Sequence, residues 1–445
     1  MTSAFLFALL LAAPDRPVID LSGGRVQPLP LAIAPPVGAQ EAGAPIQAVL
    51  VQDFDRSGLF RLLDPASFLA APGEGLTLID FPKWQAVGAQ ALVKTSCEES
   101  GTDVVCDMRL YDVARGQELL HGTYTAPRQA GRLAAHRFGD DVVRFFTREP
   151  GLFQTRIAYV REGDGDKQIV VSDWDGYAPQ QLTTASINLL PAWTPDGKVI
   201  AFTSFRDGGG AHLYTVDALT RQIRSLVLMG DFTTGASYSP DGSRLLFSAS
   251  QNDNTDVWLG KADGSGARRI TDSRGIDISA SWSPDGKRVA FVSDRAGTPQ
   301  IYSMAADGSE VRRLTFQGNY NQEPAWSPKG DLIAFSGRDE HRVFDVYTLA
   351  VDSGKVTRLT QNQGTNEKPA WAPNGRYLLF SSTRGGKRQI WLVLPDGEPA
   401  AGHLGEGGGS GPGVGTAAGQ VGLRSGRWRS RSRTAALPAA RRGRR

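Results

Sequence analysis

Apolar and polar residues alternate with period two over short runs within residues 156–398, and the whole pattern returns at a regular interval. Such alternation is typical of half-buried β-strands, because successive side chains point to opposite faces of a sheet. One aromatic residue opens each copy. With steps of 45, 44, 44 and 45 residues, it recurs at Trp193, Tyr238, Trp282, Trp326 and Trp371. The segment is therefore predicted to be an array of equal modules.

Four short strands, called a to d here, fit into each copy. Strand a ends at the aromatic residue, strand b carries an apolar run, strand c carries an apolar residue followed by an aromatic one, and strand d ends near threonine. The b strands are predicted at 157–160, 200–203, 245–248, 289–293, 333–336 and 378–381.

A Pro-Asp-Gly sequence separates strand a from strand b at 195–197, 240–242 and 284–286. Proline presets the first turn angle, aspartate bonds to its own backbone and glycine accepts a left-handed conformation, so the chain reverses tightly there. Four antiparallel strands in each repeat describe one blade of a β-propeller. The predicted fold class is mainly β, a six-bladed β-propeller preceded by a small α/β domain.

The strand count predicts how such a ring would close. Six b and six c strands are recognisable, but only five a and five d strands. Residues after the sixth c strand should supply the last d strand and then the a strand of the first blade. After Leu394 the chain instead becomes rich in glycine and then in arginine, with no alternating run long enough for a strand.

Residues 400–445 are therefore expected to be a disordered Gly/Arg-rich tail that leaves the propeller unclosed. A shifted reading frame near Ala400 is one explanation of the abrupt change in composition. A basic tail that acts on anionic phosphates is the other.

The residues that precede the repeat have a different pattern. Strands are predicted at 30–33, 60–63 and 119–124, a helix follows from the apolar spacing between Ile46 and Phe54, and a short helix is predicted near Trp84. A last helix, with an apolar stripe from Leu133 to Phe146, leads into the repeat. The expected domains are an α/β domain at 14–150 and the propeller at 151–399.

Residues 1–13 contain an apolar run of about ten residues that ends in Leu-Ala-Ala. A membrane-spanning helix needs roughly 20 residues, whereas a secretory signal peptide has a short apolar core before small residues. Residues 1–13 are therefore predicted to be a signal peptide. The alternative is an apolar chain terminus without a targeting role.

The formal net charge of +3 hides an uneven distribution. Residues 401–445 contain nine arginines and one glutamate, so the remainder holds 40 basic and 45 acidic residues. A mildly acidic body argues against a nucleic-acid partner.

Cys97 and Cys106 are the two cysteines of the chain. The runs at 91–96 and 104–111 are predicted to form a hairpin in which the two cysteines face each other, within reach of a disulfide. Two reduced thiols are the alternative, and a compartment that permits disulfides favours the bond.

The loops that lead into the a strands meet at one mouth of the central channel, and loops on a rigid scaffold often carry recognition. Simple solvation of these loops is the alternative. Phe232 and Ile278 are candidate anchors, since apolar groups in a polar ring often hold a partner. The predicted partner-binding residues are Asn188, Leu189, Phe232, Thr233, Thr234, Asp277, Ile278, Gln322, Glu323, Asn366 and Glu367.

Several stretches together resemble one known family. They are VIDLSGG at 18–24, SGLFRLLDPASF at 57–68, AAHRFGDDVVRFFT at 134–147, QTRIAYV at 154–160 and the Ser-Pro-Asp-Gly blades. The combination resembles the TolB family, the periplasmic component of the Tol-Pal envelope system, over about 17–398. Blade motifs alone are common among propellers, and their pairing with this α/β segment is the specific part.

The resemblance implies a non-catalytic periplasmic scaffold. In that family the propeller holds the lipoprotein Pal at its channel mouth and the N-terminal segment contacts TolA, which supports outer-membrane integrity and cell division. Thr233, Thr234, Asp277 and Ile278 match segments that contact Pal in the family. Other envelope proteins are further expected partners, and the protein is expected to associate with membranes only through its partners. No cofactor or metal is expected.

A propeller-type hydrolase or lyase acting on peptide or carbohydrate is the alternative function. The sequence has no Gly-x-Ser-x-Gly nucleophile motif. The five histidines, His121, His136, His212, His341 and His403, are not at metal-ligand spacing. His136 and Asp140 lie four residues apart on a predicted helix, where a local side-chain contact is the alternative to a site.

Overall fold

The computed structural model divides the chain into two units. A five-stranded sheet with helices comes first, and six four-stranded sheets follow it in a ring. This arrangement confirms the predicted fold class. The described residues are 19, 27–70, 74–163, 165–338 and 342–395, together with the backbone of 399–403 and 422–425.

The sheet of the first unit, called the N-terminal unit here, mixes parallel and antiparallel pairs. Its strands are β1 (Leu29–Ile33), β2 (Phe60–Leu62), β3 (Ala91–Ser100), β4 (Asp103–Asp112) and β5 (Gln117–Pro127). Their order is β2-β1-β3-β4-β5, in which β1 runs parallel to both of its neighbours. The strands predicted from the sequence in this region are confirmed.

Three α-helices accompany this sheet, namely α1 (Gln40–Arg56), α2 (Phe81–Ala86) and α3 (Arg132–Thr147). Ile46, Leu50 and Phe54 are buried along one face of α1, and α1 contacts α3. Fully burying one such side chain contributes about 1.5 to 3 kcal/mol. In the part of the chain that the structure describes, no helix has both the length and the apolar character needed to cross a membrane.

Cys97 and Cys106 form a disulfide between β3 and β4. The two residues are direct cross-strand partners, with Cα atoms 4.1 Å apart. The predicted hairpin and the predicted disulfide are both confirmed. Both side chains are buried, so the bond belongs to the core between the sheet and its helices.

The ring consists of six blades, numbered along the chain. The a strands of blades 2 to 6 are β9 (Asn188–Trp193), β13 (Thr233–Tyr238), β17 (Asp277–Trp282), β21 (Tyr320–Trp326) and β25 (Asn366–Trp371). The b strands of blades 1 to 6 are β6 (Thr155–Glu162), β10 (Val199–Ser204), β14 (Arg244–Gln251), β18 (Arg288–Ser293), β22 (Leu332–Arg338) and β26 (Leu378–Gly385).

The outer strands follow the same order. The c strands of blades 1 to 6 are β7 (Lys167–Asp173), β11 (His212–Asp217), β15 (Asn254–Lys261), β19 (Gln300–Ala305), β23 (Phe344–Ala350) and β27 (Lys387–Val393). The d strands of blades 1 to 5 are β8 (Gln180–Gln181), β12 (Ile223–Val227), β16 (Arg268–Arg269), β20 (Arg312–Arg313) and β24 (Val356–Arg358).

The Pro-Asp-Gly sequences form the a–b turns as predicted. In blade 4, Asp285 Oδ1 accepts hydrogen bonds from Ser283 Oγ at 2.6 Å and from the Lys287 amide at 3.1 Å. Gly286 follows with φ 68°, a left-handed conformation that costs glycine little. The turn is therefore held by hydrogen bonds among neighbouring residues, and Arg244 of blade 3 also donates to Gly286 O at 2.9 Å.

The prediction that the ring stays unclosed is wrong. Two further strands, β28 (Pro399–His403) and β29 (Gly422–Ser425), occupy the two vacant positions. Strand β28 pairs with β27 as the d strand of blade 6, and β29 pairs with Thr155 to Ala158 of β6 as the a strand of blade 1.

The reason lies in the backbone. The edges of β6 and β27 offer unpaired N–H and C=O groups, and almost any residue can satisfy them without an alternating side-chain pattern. The prediction of a disordered tail at 400–445 is therefore wrong for residues 400–403 and 422–425. Residues 404–421 and 426–445, and the predicted signal peptide at 1–13, lie outside the described residues.

The N-terminal unit packs against blades 1, 5 and 6 at one end of the channel. Lys329 Nζ lies 2.7 Å from Glu149 Oε1, and Asn374 Nδ2 donates to Pro150 O at 3.1 Å. Tyr377, which is buried, donates its hydroxyl to Ser57 O at 2.6 Å. Lys329 and Asn374 lie in a–b turns and Tyr377 directly follows one, so the a–b turns are at the end of the channel that the N-terminal unit covers. The a strands end there and therefore start at the opposite end.

Candidate partner-binding mouth

The end of the channel that faces away from the N-terminal unit is called the mouth here. It is formed by the loops that join strand d to the next strand a and by the loops between strands b and c. Neighbouring a strands contact one another around the channel, and β29 lies between β25 and β9. The channel wall is therefore made of a strands.

Exposure repeats along the a strands of the described blades. In β9 the first, fourth and sixth residues are buried, whereas Leu189, Leu190 and Ala192 are half-buried and line the channel. The same pattern recurs in β17 and β25. The channel is thus lined by the second, third and fifth residues of each of these strands.

A left-handed residue breaks the alternation at the third position. The φ angle is positive, between 54° and 69°, at Leu190, Gly235, Ser279, Glu323 and Lys368. The pairing register between strands a and b shifts at the same place in all five blades. This bulge turns two successive side chains toward the channel, which regular alternation would not do.

An asparagine at the start of strand a links blades 2, 5 and 6 to the preceding blade. Asn188 Nδ2 donates to Gln168 Oε1 of blade 1 at 3.1 Å. In blades 5 and 6 the corresponding bonds run from Asn321 to Gln300 at 2.9 Å and from Asn366 to Asp345 at 2.8 Å. These residues are buried, so the bonds are shielded from water and hold the blades together.

An arginine closes over the first residue of strand a in blades 2, 4 and 6. Arg295 donates its Nε to Ser293 Oγ at 2.8 Å and its Nη2 to both oxygens of Asp277, at 3.1 and 2.9 Å. The guanidinium also lies over two aromatic rings, 5.4 Å from the centroid of Phe291 and 5.2 Å from that of Tyr302. This arrangement is called the arginine clamp here.

The other two clamps repeat it closely. Arg206 Nε donates to Ser204 Oγ at 3.2 Å and Arg384 Nε donates to Ser382 Oγ at 3.0 Å. Arg384 also donates to Asn366 Oδ1 at 3.1 Å. The signal was present in the sequence as Ser-x-Arg at 204–206, 293–295 and 382–384, although the strand pattern alone did not single it out.

The predicted partner-binding residues all lie at the start of a strands, but their exposure differs. Asn188, Thr233, Asp277 and Asn366 are buried. The half-buried residues are Leu189, Phe232, Thr234, Ile278, Gln322, Glu323 and Glu367. The second group is therefore accessible from the channel, while the first group lies within the wall.

The two predicted acidic residues are already engaged within the ring. Glu323 Oε2 accepts from Ser336 Oγ at 2.8 Å and from the Lys368 amide at 3.0 Å. Burial raises the pKa of Glu323 above its ordinary value, although Lys368 and these hydrogen bonds oppose the shift. Glu367 Oε2 pairs with Arg388 Nη1 at 2.9 Å. These carboxylates fix neighbouring strands together.

Large apolar side chains are exposed around the mouth, a feature that strand patterns do not reveal. Phe316 is 73% exposed, Leu228 57% and Ile276 49%. Further exposed residues of the mouth loops are Ile187, Phe205 and Val343. Exposed apolar groups gathered at one rim mark an interaction surface more often than scattered ones do.

A buried charged cluster joins the N-terminal unit to blade 1. His136 Nδ1 lies 2.7 Å from Asp53 Oδ2, and Trp174 of blade 1 donates its Nε1 to Asp53 Oδ1 at 3.1 Å. Arg132 forms an ion pair with Asp175 in the turn after β7. The cluster is an interface between the units.

Ligand atoms of Asp53, His136 and Asp175 lie within 4.8 Å of one another, as they would in a metal site. Each of them is already engaged, and the guanidinium of Arg132 beside Asp175 disfavours an additional cation. His136 and Asp140 do not pair with each other. Asp140 accepts instead from the Phe153 amide at 2.8 Å, and burial raises the pKa of its carboxyl to about 6.

Fold and mouth together define a class of protein, a six-bladed propeller that carries an α/β domain on one face and an open, apolar-rimmed mouth on the other. Two family models match this chain, the TolB amino-terminal domain over residues 17–119 and the TolB beta propeller domain over residues 143–408. The second match covers more than half of the sequence. The chain belongs to the TolB family.

Similar proteins carry the same family name. The Tol-Pal system protein TolB of Anaeromyxobacter dehalogenans (strain 2CP-C) is 48% identical over 275 residues, which is 60% of this chain and 63% of that protein. The Tol-Pal system protein TolB of Myxococcus xanthus (strain DK1622) is 45% identical over 214 residues, 46% of this chain and 50% of that protein. The matched regions thus span less than two thirds of these relatives.

A solved structure resembles the whole arrangement. The crystal structure of TolB from Acinetobacter baumannii superposes with a TM-score of 0.77 at 28% identity, covering 92% of this chain and 98% of that chain. The likeness therefore includes both units and not the ring alone.

Proposed function

We propose that the chain is a non-catalytic periplasmic scaffold of the Tol-Pal system, which binds the lipoprotein Pal at the mouth and TolA through its N-terminal segment. Family membership supports the system, because the relatives are named as Tol-Pal system proteins. Outer-membrane integrity and cell division are the processes that such a scaffold serves. Export through a signal peptide at 1–13 belongs to the same proposal.

The observation that carries the proposal is the apolar rim of the mouth. Phe316, Leu228 and Ile276 are all about half exposed or more, and they lie on the face left open by the N-terminal unit. Exposed aromatic and aliphatic residues around a rigid opening are suited to anchoring a protein partner. The half-buried wall residues behind the rim, among them Leu189 and Ile278, are accessible to a segment that enters the channel.

Substitution of the rim tests this proposal. Phe316→Asp and Ile276→Asp place a charge where an apolar partner surface would be desolvated, so each should weaken binding of the cognate Pal at least 10-fold in calorimetric titrations. Leu219→Asp is the matched control, because Leu219 is 90% exposed in the c–d turn of blade 2, away from the mouth. It should leave the affinity unchanged.

Wild-type affinity in both rim variants, with unchanged melting temperatures, would remove the mouth as the Pal site. A separate measurement addresses the enzymatic alternative. Incubation with peptide and carbohydrate substrates should give no turnover. If the protein did turn over a substrate, and a substitution in the mouth abolished that turnover, the non-catalytic part of the proposal would be contradicted.

A further inference from the structure

Blade 5 keeps the surroundings of an arginine clamp but has no arginine in that place. Phe335 and Tyr347 are cross-strand partners like the two rings of each clamp, and Asn321 pairs with Gly337 as Asn366 of blade 6 pairs with its clamp serine, Ser382. Gly337 replaces the clamp serine, and residue 339, at the clamp arginine's position, is aspartate in the sequence. Among the described residues, no arginine lies over the Phe335 ring.

A pocket of about 430 Å³ opens at this place on the mouth. Its lining includes Phe335, Tyr347, Asn321 and Gly337, the four counterparts of the residues that surround a clamp arginine. Gln317 and Asn319, from the loop between blades 4 and 5, form part of its rim. The cavity therefore lies where the guanidinium lies in blades 2, 4 and 6.

The walls of the pocket suit a planar cation. The rings of Phe335 and Tyr347 are stacked, with centroids 5.4 Å apart and planes at 16°, and aromatic faces attract cations. Asn321 Nδ2 donates to Gln300 Oε1 and to Gln317 O. Its Oδ1, the atom that accepts from the clamp arginine at Asn366, lies 2.9 Å from the place of a Cβ on Gly337.

Two nearby arginines do not fill this space. Arg338 also lines the pocket, but its guanidinium lies over two other rings, 5.0 Å from the centroid of Tyr320 and 5.6 Å from that of Phe344. Arg358 lies 5.7 Å from the Tyr347 centroid, farther than any clamp arginine from its strand-c ring, and pairs with Asp345. Its charge is therefore compensated within the blade.

We infer that this pocket binds an arginine side chain supplied by a polypeptide partner, which completes in trans the clamp that blades 2, 4 and 6 complete with their own residues. A guanidinium stacks on rings and bonds to Asn321 Oδ1 at once, whereas an ammonium group lacks the planar face. Phe316, which is exposed, lies in the loop between Thr315 and Gln317, two residues that line the pocket, and its ring would contact residues beside that arginine. That the polypeptide is the mouth partner rests on the proposed function, but the preference for guanidinium does not.

The test measures binding of a capped Gly-Arg-Gly peptide to the full chain by ligand-observed NMR titration. The arginine peptide should bind with a millimolar dissociation constant, and the neutral citrulline and the lysine peptides should bind at least 10-fold more weakly. Gln317→Glu should tighten arginine binding about 3-fold and Gln317→Lys should weaken it by a similar factor. Gln317 is exposed, so neither change disturbs the core.

Gln361→Glu and Gln361→Lys are the matched controls, since Gln361 is an exposed glutamine of the next mouth loop that does not line the pocket. They should leave arginine binding unchanged. Equal binding of the citrulline peptide, or no difference between the two Gln317 variants, would overturn the inference. These readouts do not involve Pal, so failure of Pal binding and failure of the pocket are distinguished.

Discussion

At the scale of single residues, His136 and Asp53 make stability depend on pH. Burial alone would lower the pKa of His136, but the adjacent carboxylate of Asp53 outweighs burial and raises it. A raised pKa means that the folded state holds this proton more tightly than the unfolded state does. The stabilisation should be complete below about pH 6.5 and should be lost as the pH rises through the folded pKa.

Urea unfolding measured between pH 6 and pH 8.5 should therefore show a falling free energy of unfolding. His136→Asn should remove most of this dependence and, at pH 6, should cost about 3 kcal/mol, because Asp53 would lose its buried partner. His121→Gln changes an exposed histidine of β5 and should keep the wild-type profile. A His136→Asn variant with the same pH profile as the wild type would contradict the assignment.

The residue scale is also where the sequence was least informative about the site. The position of the a strands at the mouth was predictable, but the bulge at Leu190, Ser279 and Lys368 was not, since none of these residues favours a positive φ. The bulge decides which of two neighbouring side chains lines the channel. Asn188 and Asp277 were therefore grouped with accessible neighbours, although both are buried, Asn188 bonded to blade 1 and Asp277 to Arg295 of its own blade.

At the scale of elements, the β3–β4 hairpin should depend on its disulfide. The bond spans nine residues of sequence separation, and closing so short a loop stabilises the folded state by about 2 to 3 kcal/mol in the chain-entropy model. Cys97→Ala with Cys106→Ala should lower the free energy of unfolding by that amount. Wild-type protein unfolded with a reducing agent should show a similar loss.

Thiol titration of the denatured, unreduced protein is the direct check. It should find no free thiol in protein isolated from an oxidising compartment. Two free thiols per chain, or equal stability of the reduced and oxidised forms, would contradict a structural role of the bond.

Strands whose side chains alternate between apolar and polar residues were predictable from the sequence. Strands that form only because a neighbouring strand has an unpaired edge were not. The b strands alternate around buried residues such as Phe202 and Phe291, so their positions followed from the sequence. Strands β28 and β29 carry no such pattern, because their place is fixed by the unpaired edges of β27 and β6. Only the count of missing strands indicated that something must lie there.

At the scale of the whole molecule, the ring should need residues 395–425 and not the residues after them. Deleting 395–445 removes β28 and β29 and leaves two strand edges without partners. At about 1 kcal/mol for each lost hydrogen bond, β29 alone should account for a fall in melting temperature of about 10 °C. The truncated protein should also associate through its exposed edges.

Deleting 427–445 is the matched control, because it keeps both closing strands and still removes arginines. Its melting temperature in differential scanning calorimetry should equal that of the full chain. If the two deletions had the same effect, closure of the ring by Gly422–Ser425 would be refuted.

The arginine clamps alternate around the ring, and the pocket of blade 5 adds a feature that distinguishes one orientation of a bound partner from the others. A ring of identical blades would present a partner with six equivalent orientations, each bound equally well. Blades 2, 4 and 6 carry their own clamp arginine, whereas blade 5 presents an open pocket between Phe335 and Gln317. Specificity is a difference of affinities between competing poses. Blades 1 and 3 also lack a clamp arginine, because Gly163 and Gln251 hold that position. The clamps alone therefore leave three equivalent orientations, and the pocket of blade 5, when it holds an arginine of the partner, would select one of them.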